Sequence, residues 1–398
     1  GSGLKTNIDE IDALTGGMLS GKIMVVLAGP KSGKCFIGST RVHTEKGYQR
    51  ISDILGDKQF EGKDKYFDYE VTVKDNYKSS HIYTCKNAKT IKIHSDYFDL
   101  EGTAEHKVKS IVNGKVDWKR LDELKVGDYL ACDSSQEFLF NNAVKKPKCL
   151  EYLNDFDFGW FVGYWLGDGS VTDRNDVIMI SVGSDEALNV VKKVCRKIPY
   201  LVTHHNKKEH IHNVCLKTRE VWNELKEFGF VGHAYTKKIS EWIFNSNRDV
   251  IRGLLSGMFD SDGDVKNMDL TIASKELVYG IRDLFHLFGI FPKITERKVN
   301  YKYKGERQLK KYYRLVVSLT ERSKLDILNF KLKYKQKQLK QILKPSKSEG
   351  MIPKELTSYV DEIERIYKEV FCPLLKGEWR AKTWIKQRTF THHFRNKR

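Results

Sequence analysis

The 398 residues hold 70 Lys and Arg against 52 Asp and Glu, a formal net charge of +18, with 40% apolar residues. That apolar share suffices for buried cores in two or three domains, and the positive excess is more than solubility requires, which points to a polyanionic partner, nucleic acid first. No apolar run approaches the roughly 20 residues that span a bilayer, no secretory leader is visible, and the seven scattered cysteines form no C-x-x-C pair, so a reducing cytoplasm and no membrane are expected.

The first element in chain order is an apolar run, Ile23 to Leu27, followed by Ala28-Gly29-Pro30-Lys31-Ser32-Gly33-Lys34. A strand leading into a Gly-rich loop that ends in Gly-Lys is how a phosphate-binding loop begins, and the next residue should be a Ser or Thr to hold magnesium. Cys35 stands there instead, and Phe36 to Val42 alternates like a strand where a phosphate-capping helix should start. The chain is therefore not expected to hydrolyse ATP. The stretch Ile8 to Lys34, with Asp12-Ala13-Leu14-Thr15-Gly16-Gly17, resembles RecA-like recombinases, including phage ones. That resemblance makes residues 1–34 a fragment of such a host protein.

From Cys35 the run Cys-Phe-Ile-Gly-Ser-Thr-Arg-Val-His-Thr is similar to the opening block of inteins. Gly102-Thr103-Ala104-Glu105-His106-Lys107-Val108 is similar to their T-x-x-H block, and Trp118 to Ala131, with Leu121, Leu124, Gly127 and Asp128, to the strand and turn that follow. The resemblance implies a mostly-β Hint (hedgehog/intein) splicing half over 35–135, with alternating runs such as Thr90 to His94 and Tyr129 to Cys132 as strands. Its chemistry follows from the residue types: a thiol at Cys35 attacks the Lys34–Cys35 peptide bond to form a thioester. His106 protonates the departing amide nitrogen and Thr103 orients the bond. Inteins finish with a His-Asn pair, whereas this sequence finishes Thr391-His392-His393-Phe394-Arg395-Asn396-Lys397-Arg398. Either a separate C-terminal fragment completes splicing in trans, as in split inteins, or the sequence was cut short.

Residues 150–345 contain an approximate internal repeat, about 153–235 and 236–345. Phe161-Val162-Gly163-Tyr164-Trp165-Leu166-Gly167-Asp168-Gly169 recurs 94 residues later (262 − 168) as Leu255-Ser256-Gly257-Met258-Phe259-Asp260-Ser261-Asp262-Gly263. Strands are predicted at Val177 to Val182 and Met268 to Ala273, helices at Ser184 to Ile198 and Ser274 to Phe288, strands at Ile211 to Leu216 and Tyr312 to Leu319, and helical stretches from near Thr218 and Thr320. Small residues four apart, Gly163 with Gly167 and Gly257 with Ser261, leave a bare stripe along which two helices can pack. Asp168 and Asp262 then fall at helix C-termini, where a carboxylate opposes the helix dipole by about 0.3–1 kcal/mol unless a cation offsets it.

These nonapeptides resemble the LAGLIDADG motif, and the resemblance implies an α+β homing endonuclease with pseudo-twofold αββαββα repeats, acting as a monomer. It implies catalytic Asp168 and Asp262, both also metal ligands for Mg2+, and DNA cleavage at the uninterrupted host-gene site. Lys237, in Lys237-Lys238-Ile239-Ser240, takes the place of the family's water-orienting or charge-stabilising lysine, although serine replaces the usual proline. Its symmetry mate is expected within 331–340, with Lys335 the residue named. Segments His204 to His212 and Arg297 to Tyr313 supply basic and aromatic groups for DNA. An alternative keeps the fold as a nuclease-dead DNA- or RNA-binding protein or splicing cofactor. Lys344 to Lys354 reads as a linker, Glu355 to Phe371 has helical spacing, and the basic extension over 346–398, with Trp379 and Trp384, is either an extra DNA grip, which its charge favours, or a helical cap on the nuclease.

Overall fold

The computed structural model describes residues 35–343, except 57–64, 73–77, 83–87, 96, 113–114, 127, 129, 131–139, 142–143, 173–176, 207–210 and 304–305, and beyond them only 351–353 and 384–386. The fragment 1–34, most of the Tyr129 to Cys132 run, the linker residues 344–350, the Glu355 to Phe371 segment and most of the basic extension lie outside the described residues. By its internal contacts the chain separates into Gly1–Lys34 and Cys35–Arg398.

The described part of 35–130 is built of antiparallel hairpins. Strand β1 (Arg41–Thr44) pairs with β2 (Gly47–Arg50), which leads into the short helix α1 (Ile51–Leu55). Then come the pairs β3 (Lys65–Thr72) with β4 (Lys78–Ile82), β5 (Thr90–His94) with β6 (Asp99–Thr103), and β7 (Lys107–Val112) with β8 (Lys115–Arg120). The predicted Thr90 to His94 strand has the bounds expected. The turn after β8 is fixed by Asp128, whose carboxylate accepts from the Lys125 amide and the Lys119 ammonium, both at 2.7 Å.

The rest is organised around two long helices, α2 (Asp155–Asp168) and α6 (Arg248–Asp262). Between them run β9 (Gly169–Thr172), β10 (Val177–Val182), α3 (Asp185–Val194), β11 (Tyr200–Asn206), β12 (Ile211–Leu216), α4 (Arg219–Glu227) and the one-turn α5 (Glu241–Phe244). After α6 come β13 (Gly263–Asp264), β14 (Asp269–Ile272), α7 (Lys275–His286), β15 (Lys293–Tyr303), β16 (Glu306–Val316) and α8 (Lys333–Ile342). The strands form two four-stranded sheets, ordered β11-β12-β10-β9 and β13-β14-β16-β15.

Start signals for the helices are written in the sequence. Asn154 and Asn247 accept from the backbone three residues on, at 2.7 and 3.0 Å, and Ser184 and Ser274 do so at 3.1 and 3.2 Å, each satisfying an otherwise orphaned amide. Asn247 also donates to Asp155 at 2.6 Å, which ties together the starts of α2 and α6.

The α2–α6 contact is backbone on backbone. A methyl group at Gly163 would lie 2.0 Å from the Leu254 carbonyl oxygen, and one at Gly257 would lie 2.1 Å from that of Trp160. The stripe is longer than the motifs indicated, since Gly159 meets Val250 and Gly253 meets Phe156 in the same way. Around this seam Phe158, Trp160, Phe161, Trp165 and Phe259 are essentially inaccessible to solvent. Each contributes about 1.5–3 kcal/mol by burial.

Several boundaries differ from those predicted. The helix predicted from Ser184 to Ile198 stops at Val194, and β16 begins at Glu306, well before Tyr312. The stretch after Thr320 is not an α-helix: Leu319–Ile327 is 3-10 with a break at Glu321 (φ −102°, ψ 17°), whose buried carboxylate turns inward to accept from the Phe291 amide at 3.4 Å. The true helix, α8, starts at Lys333. Within the predicted linker, Met351–Pro353 forms a strand paired with Trp384–Lys386.

The seam makes a sharp prediction. Gly163→Ala must push α2 away from α6, and we expect a loss of about 3 kcal/mol of stability, measured by denaturant titration. A loss under about 0.5 kcal/mol, the range of ordinary surface changes, would contradict the seam.

Candidate active site

Because α2 and α6 run side by side, their C-termini end together, and with them Asp168 and Asp262. A methyl group on Gly167 would lie 2.0 Å from the Ser261 hydroxyl and 3.1 Å from an Asp262 carboxylate oxygen, so the two motif ends are in direct contact. Burial, followed by the neighbouring Asp262 charge, pushes Asp168 up to about 7 against the pull of Lys237 and Lys335. Burial also raises Asp262. Two carboxylates crowded at the negative ends of two helices form a strongly electronegative spot.

Both lysines named from the sequence lie at this spot. The Lys237 ammonium donates to the carbonyls of Trp165 (3.1 Å), Leu166 (2.8 Å), Gly167 (3.3 Å) and Gly169 (2.6 Å). The Lys335 ammonium donates to those of Phe259 (2.5 Å), Asp260 (2.9 Å) and Ser261 (3.4 Å). Residues 165, 166 and 167 match 259, 260 and 261 at the 94-residue offset of the motifs, so each lysine caps the C-terminus of one motif helix. Burial lowers Lys237 to about 8, and Lys335 shifts in the same direction for the same reason.

Among the described residues no group of three or more His, Cys, Asp or Glu is placed to hold a metal ion. A pair of carboxylates is nonetheless a fitting donor set for magnesium, which favours oxygen, keeps several waters, and is bound by one or two carboxylates together with substrate phosphates. The raised Asp168 and Asp262 indicate a place where a cation would relieve repulsion.

A second cluster forms around Cys35. Its backbone amide donates to the Thr103 hydroxyl at 3.2 Å, and the Thr103 amide donates to its carbonyl at 2.9 Å. Phe36 bridges to Gly102, and the His106 ring lies 3.7 Å, centroid to centroid, from the Phe36 ring. The backbone amide of His106 donates to the Thr103 carbonyl at 3.0 Å. Cys35, Thr103 and His106 are thus brought together from segments about seventy residues apart. Gly102 is required here, since a methyl group would lie 2.9 Å from the Cys35 carbonyl oxygen.

Of the two segments expected to face DNA, His204 to His212 and Arg297 to Tyr313, residues 207–210 and 304–305 lie outside the described residues. His204 packs edge to face on His212, with centroids 4.8 Å apart. In the second sheet the Tyr312 hydroxyl lies 3.5 Å from that of Tyr235, over which Lys310 sits at 5.2 Å. Asp260, Ser256 and Ser274 were given no role in the sequence reading, yet all three are buried and hydrogen-bonded to the segments that carry the lysines. A polar residue inside an apolar helical stripe was the available signal.

Residues 249–331 match the LAGLIDADG-like domain family. The replication factor C small subunit of Methanocaldococcus jannaschii is 27% identical over 381 residues, which is 88% of this chain and 19% of that protein. The DNA-directed RNA polymerase subunit Rpo1C of the same organism is 29% identical over 189 residues, 45% of this chain and 22% of that protein. The chain spans about a fifth of the length of these curated relatives. Among solved structures, the crystal structure of I-DmoI in complex with DNA and Mn is similar at 13% identity and a TM-score of 0.29, covering 48% of this chain and 98% of that one. No helix among the described residues is long and apolar enough to cross a membrane.

The electrostatics set a sign for pH. Asp168 at about 7 lies above the value of about 4 for an exposed aspartate. The folded state therefore keeps a proton that the unfolded chain has lost, and stability falls as pH rises from about 4 to about 7. Lys237, lowered to about 8, acts oppositely and only above that pH. In a chelator, Asp168→Asn is expected to flatten this fall and to raise the melting temperature at pH 7.5 by about 2–4 °C. An unchanged profile would mean that burial and the Asp262 charge do not raise Asp168.

Proposed function

We propose that this chain is the N-terminal part of an intein that carries a two-motif homing endonuclease, cutting both strands of DNA and forming a thioester at the Lys34–Cys35 bond. The observation that carries the nuclease half is that Lys237 caps the helix ending in Asp168 and Lys335 the helix ending in Asp262, with both ammonium charges acting on both carboxylates, two equivalent capped helix ends on one seam. A duplex presents two scissile phosphates, and two such units suit it. The net charge of +18 favours a polyanion, and the LAGLIDADG-like match over 249–331 supports the same reading.

In this reading Asp168 and Asp262 hold divalent cations against the phosphates. Bound magnesium would supply a Lewis acid and lower the pKa of an attacking water. Lys237 and Lys335 stabilise charge rather than orient that water, because an ammonium has three donors and at least three carbonyls surround each. Their positive charge offsets the helix ends and keeps the carboxylates available to the cation. Since Asp168 must lose its proton to bind a cation, cleavage should rise with pH up to about 7.

The splicing half rests on Cys35, Thr103 and His106. The Thr103 hydroxyl holds the amide nitrogen of the bond to be broken, at 3.2 Å, so Thr103 orients that bond. The thiol of Cys35 attacks the Lys34 carbonyl, a C–S bond replaces the C–N bond, and His106 delivers the proton to the freed amine. The relatives favour an inserted element: two proteins whose names share no activity each match this chain over about a fifth of their length.

Two experiments test these halves. With magnesium, the purified chain should linearise a plasmid bearing the uninterrupted recombinase P-loop sequence, and Asp168→Asn or Asp262→Asn should each reduce the rate by at least about a hundredfold. Binding without cutting would favour a nuclease-dead DNA-binding protein. For splicing, hydroxylamine or a thiol should release residues 1–34, and Cys35→Ala should abolish release. Release that survives Cys35→Ala would rule out the thioester.

A further inference from the structure

The two halves of the nuclease site are equivalent at the lysines but not in what holds the lysines. Along α6, Arg252, Ser256 and Asp260 recur every four residues and so share one face. They grip the segment that leaves the 3-10 stretch at Ile327. Arg252 donates to the Ile327 carbonyl at 2.9 Å, the Ser256 hydroxyl accepts from the Asn329 amide at 3.0 Å, and the Asp260 carboxylate accepts from the Lys331 amide at 2.7 Å. The contacts fall on residues 327, 329 and 331, so three side chains four apart on α6 meet backbone groups two apart on the segment. The segment runs directly into α8, where Lys335 lies in the first turn.

Asp260 is the critical rung. Its side chain is 2% exposed, and it also accepts from the Trp160 indole at 2.7 Å and from the Leu332 amide at 3.4 Å. Leu332 caps α8 and has no side-chain acceptor of its own, so a carboxylate from another helix serves its start. A cation in a first turn is disfavoured by the helix dipole. Lys335 tolerates that place because the α6 carbonyls and the Asp260 charge surround it.

In the first repeat the residues at the same offset are Phe158, Val162 and Leu166, all buried and apolar. Lys237 is held by other means: its own carbonyl accepts from the Ser274 hydroxyl at 2.6 Å, and its amide donates to the His233 carbonyl at 3.0 Å. We propose that Asp260 is a positioning residue for Lys335 alone, so that weakening it slows the cutting of one DNA strand and spares the other. This rests on the nuclease reading and adds to it an inequality between the strands.

The test follows each strand of an end-labelled duplex carrying the uninterrupted site, alongside nicked and linear forms of the supercoiled plasmid. Asp260→Leu, which copies the first repeat, should slow one strand by about tenfold or more relative to the other and accumulate nicked circles. Asp260→Asn keeps an acceptor oxygen and should bias the same strand less. That strand should be the one slowed by Lys335→Ala, with Lys237→Ala slowing its complement. Equal slowing of both strands by Asp260→Asn, or slowing of the strand that depends on Lys237, overturns the proposal while leaving the nuclease intact. The Asn variant and Ser256→Ala decide the matter if the Leu variant does not fold. A parent chain that cuts neither strand removes the nuclease reading, and this role with it.

Discussion

Everything in the two-helix part of the fold depends on how closely two helix backbones approach. Gly159 and Gly163 on α2, with Gly253 and Gly257 on α6, remove the side chains that would hold the helices apart. Because the helices then run together to their ends, two acidic residues and two sets of C-terminal carbonyls converge. The geometry that makes the core tight therefore also makes the site electronegative. A looser seam would separate the carboxylates and relax the electrostatics.

That convergence is costly, and the structure answers it with buried cations. Lys237 and Lys335 reach the helix ends from outside the motifs, one from the loop before α5 and one from α8. Each trades its hydration for carbonyl oxygens, which accounts for the lowered affinity for protons. Asp168 and Asp262 retain raised values in spite of these charges, because burial outweighs them. Two carboxylates so placed are a fitting oxygen donor set for a cation.

The hairpins that follow Cys35 are not isolated from this core. Arg41 and Arg50 both pair with Glu241, at 2.7 and 2.6 Å, and the Arg41 guanidinium lies 3.7 Å from the centre of the Phe244 ring. Arg282 pairs with Asp99 at 3.3 Å, and the His286 ring contacts the Tyr97 carbonyl at 3.1 Å. Glu241 lies only four residues beyond Lys237. The segment that carries one site lysine therefore also anchors the hairpin just after Cys35.

The sequence by itself determined what local chemistry and repetition can determine. The helices after Ser184 and Ser274 were legible from their pattern, the nonapeptides announced the seam and its two acids, and the T-x-x-H block announced a threonine that meets Cys35 and a histidine that meets Phe36. Spacing could not assign what depends on partners distant in the chain. The glycine stripe extends beyond the motifs because its outer members matter only against the opposite helix. The helix expected after Thr320 became a 3-10 stretch because Glu321 turns inward toward Phe291. Lys335 was one lysine among several in its run, and only the fold selects it, because α8 points that side chain alone at the α6 carbonyls. Asp260 could be read as part of a motif, but its function as a clasp exists only where α6, Trp160 and the 327–332 segment meet. Periodicity and caps are properties of neighbours along the chain, whereas the balance of buried charge is decided by which helix ends the tertiary packing brings together.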